Sequence, residues 1–421
     1  MITKKRISII SETYSPELNG VATTLTYLVS GLLANGHEIN VIRPRQNSFE
    51  KDGLIDGIHH TFFNRLLIPG YPDLCFGMLA KSKLVKLWRS YPPDIIYVAT
   101  KGPLGWSAIS AANQLDIPVL SGFHSNLYRF SCHHGLGWFS KLMTTYYRIF
   151  HNRSLGTLVP TRDMKKQLTN WGIKNVSVVS RGVDCERFSP AHRSDALRQQ
   201  WGLGHQDTAV LYVGRLAAEK NLPLAISAFK RMHGLNTRSR FILVGDGPLK
   251  ASLEMAHPDF IFAGTQTGQA LSEHFASADI FLFPGAFDTF GNVVIEAMAS
   301  GLGVLAFRHG AAHEHIVDMD NGLTVARQNA EAFVRAGIKL ACQPILLKLI
   351  RESARNTAYG INWKTVINDF EAQIGFAIRK KKSDLRSRST VPESNQTSLQ
   401  QQNKPKVSAH REKRGSILQK G

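Results

Sequence analysis

The chain has 421 residues, of which 43% are hydrophobic and 20% are charged, with a formal net charge of +19. This length exceeds one ordinary core and predicts two domains of roughly 180 residues each in a soluble globular protein. No run approaches the ~20 apolar residues that a membrane-spanning helix needs, and the N-terminus has no signal-peptide pattern, so we expect a cytoplasmic protein.

The sequence predicts neither disulfides nor a metal site. The four cysteines are more than fifty residues apart in sequence and show no CxxC spacing; they are Cys75, Cys132, Cys185 and Cys342. Three histidines within residues 309–315 lack the HExxH spacing of a zinc site. Residues 318–320 (DMD) precede an Asn-Gly pair, which is a plain turn signal.

Short apolar runs alternate with amphipathic stretches along most of the chain. The apolar runs predict strands at residues 6–11, 38–43, 95–100, 119–122, 156–160, 176–180, 209–214, 241–245, 260–263, 280–283 and 303–306. Helical patterns lie between them, among others at residues 23–35, 161–171, 222–232, 268–278 and 293–300. This alternation predicts an α/β fold in which helices cover both faces of parallel sheets.

The alternation restarts near Asp207, after the polar segment 189–206. We therefore predict two facing Rossmann-like domains, one at residues 1–190 and one at residues 191–378, the second of which ends in an amphipathic helix at residues 363–379. Ligands of open parallel sheets bind beyond the carboxyl ends of the strands. Two such domains facing each other would form a deep cleft.

Residues 16–21 (PELNGV) follow the first predicted strand and precede the first helix. A glycine before a helix N-terminus lets backbone amides approach an anion, which makes Gly20 a candidate phosphate-binding residue. The Asn-Gly pair is also an ordinary turn signal, so this pattern alone leaves both interpretations open.

Residues 122–126 (GFHSN) stand at the end of the strand predicted at 119–122. His124 would face the predicted cleft there, and a neutral imidazole can bind a sugar hydroxyl. A lone histidine is more often structural, and only its position favours a role in binding.

Residues 214–221 (GRLAAEKN) form a loop between a predicted strand and a helix. Gly214 opens the loop, and Arg215 and Lys220 stand five residues apart on it. A guanidinium fork and a compact ammonium could grip a diphosphate from two sides. Such fixed cations would stabilise the charge that grows on a diphosphate leaving group. The same spacing also fits a surface loop with two solvated charges.

Residues 245–248 (GDGP) follow the next strand and resemble part of a dinucleotide-binding fingerprint. Gly245 is a candidate nucleotide contact, but the third glycine of the fingerprint is absent, which disfavours a NAD site. The Gly-Pro pair also fits a plain turn from strand to helix.

Residues 284–301 (PGAFDTFGNVVIEAMASG) carry the most informative pattern. A glycine-bearing loop leads into a helix, so amides near Phe290, Gly291 and Asn292 could bind phosphate or sugar oxygens. Asp288 on the loop and Glu296 on the helix could accept hydrogen bonds from sugar and ribose hydroxyls. The alternative is structural, with Asp288 as a helix N-cap and Glu296 as an ordinary helix charge.

The last segment, residues 379–421, is a basic tail with twelve Lys and Arg against three Asp and Glu, or +9 of the net charge. Large apolar residues are almost absent from about Lys382 onward, which predicts disorder. The tail is either a solvated end or a weak tether to an anionic membrane surface, near which each basic residue contributes about 1 kcal/mol.

Together and in this order, these segments resemble glycosyltransferase family four, with the GT-B fold, over about residues 6–375. Residues 288–296 are similar to the family's two glutamates with seven residues between them, and residues 214–221 to its diphosphate loop. The resemblance implies a retaining hexosyltransferase. Its donor, a GDP- or UDP-sugar, would be a substrate, with no cofactor and no metal.

The resemblance also implies roles for individual residues. Gly20 would approach the donor phosphate, which Arg215 and Lys220 would bind, and Arg181 in the segment SRGVD (180–184) would lie near the interdomain cleft. Glu296 would accept from the ribose hydroxyls. The predicted catalytic residues are His124, Arg215, Lys220 and Asp288. The predicted donor-binding residues are Gly20, Arg181, Gly214, Arg215, Lys220, Gly245, Phe290, Gly291, Asn292 and Glu296.

Two positions depart from the family pattern. Asp288 stands where the family usually has Glu, and its side chain is one methylene shorter, which puts the contact to the transferred sugar in question. Gly303 stands where the family often has Pro, and we expect only a local effect.

Within the family, residues 19–21 and 124–126 resemble GDP-mannose-dependent α-mannosyltransferases and the sulfoquinovosyl or glucosyl transferases that act on diacylglycerol-type lipids. This implies mannosyl transfer from GDP-mannose to a lipid or glycan hydroxyl, or alternatively glucosyl or sulfoquinovosyl transfer from a UDP-sugar. The basic, aromatic stretches 81–89 and 138–153 suit helices at a membrane interface, or ordinary surface helices. We expect peripheral association with the inner face of the cytoplasmic membrane.

Three rival interpretations stay open. A GT-B sugar-nucleotide epimerase would rearrange or hydrolyse the donor without a second substrate, and a non-catalytic subunit would only bind the nucleotide sugar. Net charge alone would also suit nucleic acid, but the core has no interleaved aromatic and basic motif, so we expect no specific nucleic-acid partner.

Overall fold

The computed structural model describes residues 3–17, 19–47, 49–68, 71–77, 80–124, 137–285 and 287–389. The strands of these residues are β1 (Arg6–Ile10), β2 (Glu38–Pro44), β3 (Gly53–Ile55), β4 (Ile58–Phe63), β5 (Arg65–Ile68), β6 (Tyr71–Gly77), β7 (Ile95–Val98), β8 (Val119–Gly122), β9 (Gly156–Val159), β10 (Val176–Val178), β11 (Thr208–Val213), β12 (Ser239–Val244), β13 (Ile261–Gly264), β14 (Ile280–Phe283), β15 (Gly303–Phe307) and β16 (Leu323–Val325).

The α-helices of the same residues lie between the strands and after them. They are α1 (Gly20–Ala34), α2 (Lys81–Ser90), α3 (Pro103–Gln114), α4 (Gly137–His151), α5 (Arg162–Asn170), α6 (Asp195–Gln200), α7 (Leu222–His233), α8 (Lys250–Ala256), α9 (Gly268–Ser277), α10 (Asn292–Ala299), α11 (Ala311–His315), α12 (Ala330–Cys342), α13 (Pro344–Gly360) and α14 (Trp363–Ser389). None of these helices combines the length and the apolarity that crossing a bilayer requires.

Two parallel sheets organise the molecule. The first has the order β10-β9-β8-β7-β1-β2-β4-β3, in which only β3 runs antiparallel to its neighbour. The second has the order β13-β12-β11-β14-β15-β16 and is parallel throughout. β5 and β6 form a separate antiparallel pair. These sheets confirm the predicted α/β fold with two Rossmann-like domains.

In each sheet, successive strands are added on one side of the first strand, and the later strands are then added on its other side. The reversal falls between β1 and β7 in the first sheet and between β11 and β14 in the second. At such a switch point the connections diverge to opposite faces, which opens a crevice beyond the carboxyl ends of the strands. The fold therefore creates two crevices, and the predicted site residues follow the strands that border them.

All eleven predicted strands are present, and their ends shift by at most two residues. Strands such as β7 (IIYV) and β14 (IFLF) are buried at every position, because helices cover both faces of a parallel sheet and such strands consist of continuous apolar runs. The sequence did not predict β3, β4, β5, β6 or β16, which lack such runs or are only three residues long.

The last helix packs against elements of the first sheet. A Cβ atom built on Gly31 would lie 1.9 Å from Cδ1 of Ile367, so α1 and α14 approach closely at a glycine. The ring of Phe370 lies edge-on to Tyr97 with centroids 4.9 Å apart, and Nε2 of His37 lies 2.9 Å from Oε1 of Glu371. The C-terminal segment therefore supports the sheet that begins the chain.

The end of α14 differs from the prediction. The sequence predicted a helix to residue 379 and a disordered tail from there, but α14 continues to Ser389. Residues 380–386 are mostly Lys, Arg, Leu and Asp, and the long side chains among them lose little freedom in a helix. The prediction of disorder is wrong for residues 379–389, and residues 390–421 lie outside the described part. The boundaries 1–190 and 191–378 stay a prediction.

Candidate active site

A cleft of about 840 Å³ lies between the switch points of the two sheets. One wall comes from the loops after β1, β7 and β8, with α4, and the other from the loops after β11 and β14. Its volume is typical of a site for a small organic molecule. The carboxyl ends of both sets of strands therefore contribute side chains to a single cavity.

Nine of the twelve predicted site residues line this cleft. They are Gly20, His124, Arg181, Gly214, Lys220, Asp288, Phe290, Gly291 and Asn292. They come from both halves of the chain and from five separate segments. The structure thus brings most of the predicted set together, while Ser125 and Asn126 of the GFHSN motif lie outside the described residues.

Lys220 and Asp288 form an ion pair at the base of the second sheet's loops. Nζ of Lys220 lies 2.5 Å from Oδ1 of Asp288, and both side chains are mostly buried. Lys220 ends a short 3-10 turn, and Asn221 after it has a left-handed φ of 55°, which directs the chain into α7. The pair joins the loops after β11 and β14 and presents both charges to the cleft.

Arg181 reaches across from the segment after β10. Its Nη1 donates to Oδ1 of Asn292 at 2.9 Å, and its guanidinium carbon lies 5.4 Å from the centre of the Phe290 ring. Burial lowers the pKa of Arg181 to about 10, so the guanidinium stays charged at neutral pH. A Cβ built on Gly20 would lie 3.5 Å from the same Nη1, which places the start of α1 beside this cation.

The N-terminus of α10 also faces the cleft. Gly291 precedes the helix with a φ of +88°, and within the described residues no side chain caps the first turn. The first N–H groups of a helix have no partner inside the helix, and its dipole places partial positive charge there. Together with the two cations, this end of α10 makes the second wall suited to an anion.

His124 lies on the opposite wall, after β8. Its Nε2 is 2.6 Å from the hydroxyl of Tyr97, while Nδ1 is buried and has no hydrogen-bond partner among the described residues. Burial, together with the nearby charges of Arg181 and Lys101, lowers the pKa of His124 to about 3. The imidazole is therefore neutral at physiological pH.

Three predicted site residues do not line the cleft. The side chain of Arg215 is 65% exposed and lies 3.7 Å from Glu219. Gly245 packs against the neighbouring loop, since a Cβ there would lie 2.0 Å from the carbonyl oxygen of Gly214. Glu296 is partly accessible on α10, but the surrounding protein still raises its pKa to about 7. Their predicted roles stay predictions.

Sequence reasoning missed two buried charged residues of the first wall, Glu12 and Lys101. Glu12 accepts from the amide of Gly77 at 2.5 Å and from that of Leu104 at 3.1 Å, so it fixes the start of α3. The Lys101 ammonium lies 4.1 Å from the ring centre of Phe123. Burial brings both pKa values to about 7. Both residues closely follow strands that border the switch point, which is the signal that could have identified them.

The three histidines of residues 309–315 diverge. Nε2 of His309 lies 2.7 Å from the carbonyl oxygen of Asp288, Nδ1 of His313 lies 2.6 Å from Oδ2 of Asp163, and the ring of His315 lies edge-on to Phe290. In the part of the chain that the structure describes, no three His, Cys, Asp or Glu side chains gather around one point.

Two facing parallel sheets with a cleft at their switch points define the GT-B class of glycosyltransferases. A sucrose-phosphate synthase from Thermosynechococcus elongatus has the same fold, with a TM-score of 0.71 and 18% identity over 90% of this chain and 100% of that one. The similarity at this level of identity concerns the fold.

Sequence comparison identifies the family. Residues 18–187 match the model of Glycosyltransferase Family 4, and residues 207–343 match that of Glycosyl transferases group 1. A GDP-mannose-dependent alpha-mannosyltransferase from Corynebacterium glutamicum is 33% identical over 326 residues, which is 77% of each chain. The chain therefore belongs to glycosyltransferase family 4, and the predicted hexosyltransferase class is confirmed. A sulfoquinovosyl transferase from Arabidopsis thaliana is 29% identical over 64% of this chain and 54% of its own.

Proposed function

We propose that this protein transfers a mannosyl group from GDP-mannose to a hydroxyl of a lipid or glycan, with retention of the anomeric configuration. The observation that carries the proposal is the meeting of Lys220, Arg181 and the start of α10 in one cleft, opposite a wall that carries a neutral histidine. The similarity to an enzyme named as a GDP-mannose-dependent alpha-mannosyltransferase supports mannose as the sugar.

The second wall would hold the diphosphate of the donor. Lys220 and Arg181 supply two positive charges, and the first N–H groups of α10 supply further donors. Negative charge grows on the β-phosphate as the sugar leaves, so fixed cations stabilise the transition state more than the ground state. Arg215 would join them by leaving Glu219, since an exposed ion pair of this kind contributes only about 0–1 kcal/mol.

The sugar and the ribose would be held by carboxylates and amides. When Lys220 turns to the diphosphate, Asp288 is free to accept a hydrogen bond from a sugar hydroxyl, with the amides of residues 290–292 beside it. Glu296 would accept from the ribose hydroxyls. His124 would face the reacting carbon across the cleft, with its Nε2 held by the hydroxyl of Tyr97.

The reaction would break the bond between the anomeric carbon and the phosphate oxygen and form a bond to the acceptor oxygen on the same face. The acceptor hydroxyl would lose its proton to the departing phosphate oxygen, which becomes more basic as the bond breaks. In this route the protein stabilises the developing charge and excludes water, and no strong base is needed.

The first wall would receive the acceptor. Glu12, Lys101, Tyr146 and Tyr147 border the cleft on this side and provide a carboxylate, an ammonium and two aromatic rings. Such a mixture suits a polyol headgroup, whose hydroxyls need hydrogen bonds and whose ring carbons pack on aromatic faces. We place the acceptor hydroxyl between this wall and His124.

A donor panel tests the proposal. The purified protein is given GDP-mannose, UDP-glucose, UDP-GlcNAc or UDP-galactose with a membrane lipid extract, and the product and its anomeric configuration are determined by mass spectrometry and NMR. We expect turnover with GDP-mannose and an α-linked product. Release of free sugar or a rearranged nucleotide sugar without acceptor would favour hydrolysis or epimerisation, and turnover of a UDP-sugar alone would refute the donor assignment.

Two variants accompany the panel. Lys220→Ala should lower kcat/KM by about 100-fold, because one group that stabilises the leaving phosphate is lost. Lys230→Ala removes an exposed lysine of α7 outside the cleft and should behave as wild type. Unchanged turnover of Lys220→Ala at saturating donor would contradict the role given to this lysine.

A further inference from the structure

The short helix α11 lies between the loop after β14 and α5 of the first half of the chain. We call residues 284–291 the donor loop, since they carry Asp288 and Phe290. α11 follows β15 and has no residue in the lining of the cleft. One end of this helix contacts the donor loop and the other contacts α5, so it is a physical link between the two halves.

The start of α11 holds two carbonyl groups of the donor loop. Nε2 of His309 lies 2.7 Å from the oxygen of Asp288, and the amide of Ala311 donates to the oxygen of Phe290 at 2.7 Å. A Cβ built on Gly310 would lie 2.2 Å from that same oxygen, so only glycine permits this approach. The backbone of the donor loop on both sides of residue 289 is therefore tied to α11.

The hydrogen bond to the donor loop determines which nitrogen of His309 carries a hydrogen. A carbonyl oxygen only accepts, so Nε2 of His309 must carry the hydrogen that it donates to Asp288. The other ring nitrogen, Nδ1, faces Nη2 of Arg327. His309 thus points an N–H at the donor loop.

The end of α11 contacts the first half. Oε1 of Glu314 accepts from the amide of Arg162, the first residue of α5, at 2.6 Å, and the Glu314 side chain is only 12% exposed. A carboxylate at this position is stabilised by the helix dipole. His313 also contacts Asp163, but both side chains are nearly half exposed and solvent weakens that pair. Glu314 is therefore the main contact.

We infer that Glu314 and His309 are positioning residues that couple the placement of α5 in the first half to the geometry of Asp288 and Phe290 in the donor loop. Neither residue lines the cleft, so both act through α11. The inference that this coupling serves catalysis rests on the proposed function. The coupling itself concerns only the protein.

Hydrogen–deuterium exchange of the full-length protein without ligand tests the coupling directly. Glu314→Ala and His309→Ala should each raise exchange of peptides that cover residues 284–294 by about fivefold or more, since the first removes the contact of α11 with α5 and the second removes a hydrogen bond to the donor loop. Glu314→Gln keeps an acceptor for the Arg162 amide, and His309→Gln keeps a donor near Asp288, so both should exchange nearly as wild type does. Glu331→Ala, at an exposed site on α12, is the control.

Turnover of GDP-mannose provides the second measurement. We expect Glu314→Ala to lower kcat/KM about fivefold and Glu314→Gln to restore it, while the melting temperature changes little. If wild type does not use GDP-mannose, the proposed function fails, but the exchange data still decide whether the coupling exists. Unchanged loop exchange in Glu314→Ala would overturn the inference, as would a Glu314→Gln variant as defective as the alanine. Because Glu314 is partly exposed, we expect its variants to fold. They therefore test the coupling even if His309→Ala does not fold.

Discussion

Three ionisable side chains in or near the cleft have pKa values close to neutral pH because they are buried. The pKa values of Glu12 and Glu296 rise to about 7, and that of Lys101 falls to about 7, in each case because burial penalises the charged form. A change of one in the pKa corresponds to about 1.4 kcal/mol in the free-energy difference between the protonated and deprotonated forms. Small changes of pH or a bound ligand therefore alter the charge of these side chains, in contrast to His124, which stays neutral.

Donor affinity should depend on pH through Glu296. If the ribose hydroxyls donate to its carboxylate, binding favours the ionised form, which predominates only above the pKa of about 7. The dissociation constant of GDP-mannose should thus fall about tenfold between pH 6 and pH 8. Isothermal titration calorimetry without acceptor measures it. GDP-mannose has no phosphate that titrates in this range, so the change reports on the protein.

The matched variant is Glu296→Gln, whose side chain has the same size but does not ionise. It should bind GDP-mannose more weakly than wild type at pH 8 and with almost the same affinity at pH 6 and pH 8. Glu12 and Lys101 keep their own titrations in this variant and lie on the other wall. A pH dependence that survives the substitution would assign it to one of those residues and contradict the role of Glu296.

The last helix, α14, connects the end of the second half to the histidine of the first wall. Phe370 of this helix is 1% exposed and packs edge-on against Tyr97, whose hydroxyl fixes the ring of His124. A helix that is remote in sequence thus supports a side chain of the candidate active site. The support is steric, because the Tyr97 ring is held between the sheet and α14.

Phe370→Ala should lower the free energy of unfolding by about 3–5 kcal/mol, the usual cost of a large cavity in a core. It should also lower kcat, because Tyr97 gains room to turn away from His124. Thermal melting and steady-state kinetics measure the two effects. Phe376→Ala on the same helix is the control, since Phe376 is 55% exposed and such substitutions change stability by about 0.5 kcal/mol or less. Equal effects of the two substitutions would argue against this account.

The sequence predicted the elements that depend on local composition. Buried parallel strands are recognisable because each is a continuous apolar run, and the loops after them revealed Lys220, Asp288 and Asn292. Glu12 was missed because its partners, Gly77 and Leu104, are 65 and 92 residues away in sequence. His309 belongs to a group of three histidines that lacks the spacing of a zinc site, and only its contact with the carbonyl of Asp288 shows it to be a hydrogen-bond donor. Such roles arise from tertiary contacts that no local pattern contains.

The protein has a formal net charge of +19, part of which lies on the exposed face of α2. The apolar face of α2 packs inward, with Trp88 only 1% exposed, while Lys81, Lys83, Lys86 and Arg89 are exposed. This helix covers the sheet, which agrees with the interpretation of residues 81–89 as an ordinary surface helix. Its apolar face is therefore occupied by the core and is not free to insert into a bilayer. For α2 we therefore propose that any attraction to an anionic membrane surface is electrostatic.

Removal of residues 390–421 should weaken binding to anionic vesicles. This segment has six Lys and Arg against two Asp and Glu, and each basic residue contributes about 1 kcal/mol near an anionic surface. We expect at least a tenfold loss of affinity for phosphatidylglycerol-containing vesicles at ~0.1 M salt, measured by cosedimentation. Wild-type binding should itself be lost near 1 M salt, where the screening length falls to about 3 Å.

A protein with the same tail composition in scrambled order separates charge from sequence. If attraction is electrostatic, the scrambled tail should bind anionic vesicles as the natural one does, and neither should bind vesicles of phosphatidylcholine alone. Turnover of a water-soluble acceptor should not depend on the tail, since the described cleft is formed by residues before 294. Equal binding of the truncated and full-length chains would show that the tail is not the membrane contact. The exposed basic face of α2 would then be the next surface to test by substitution of its lysines and arginine.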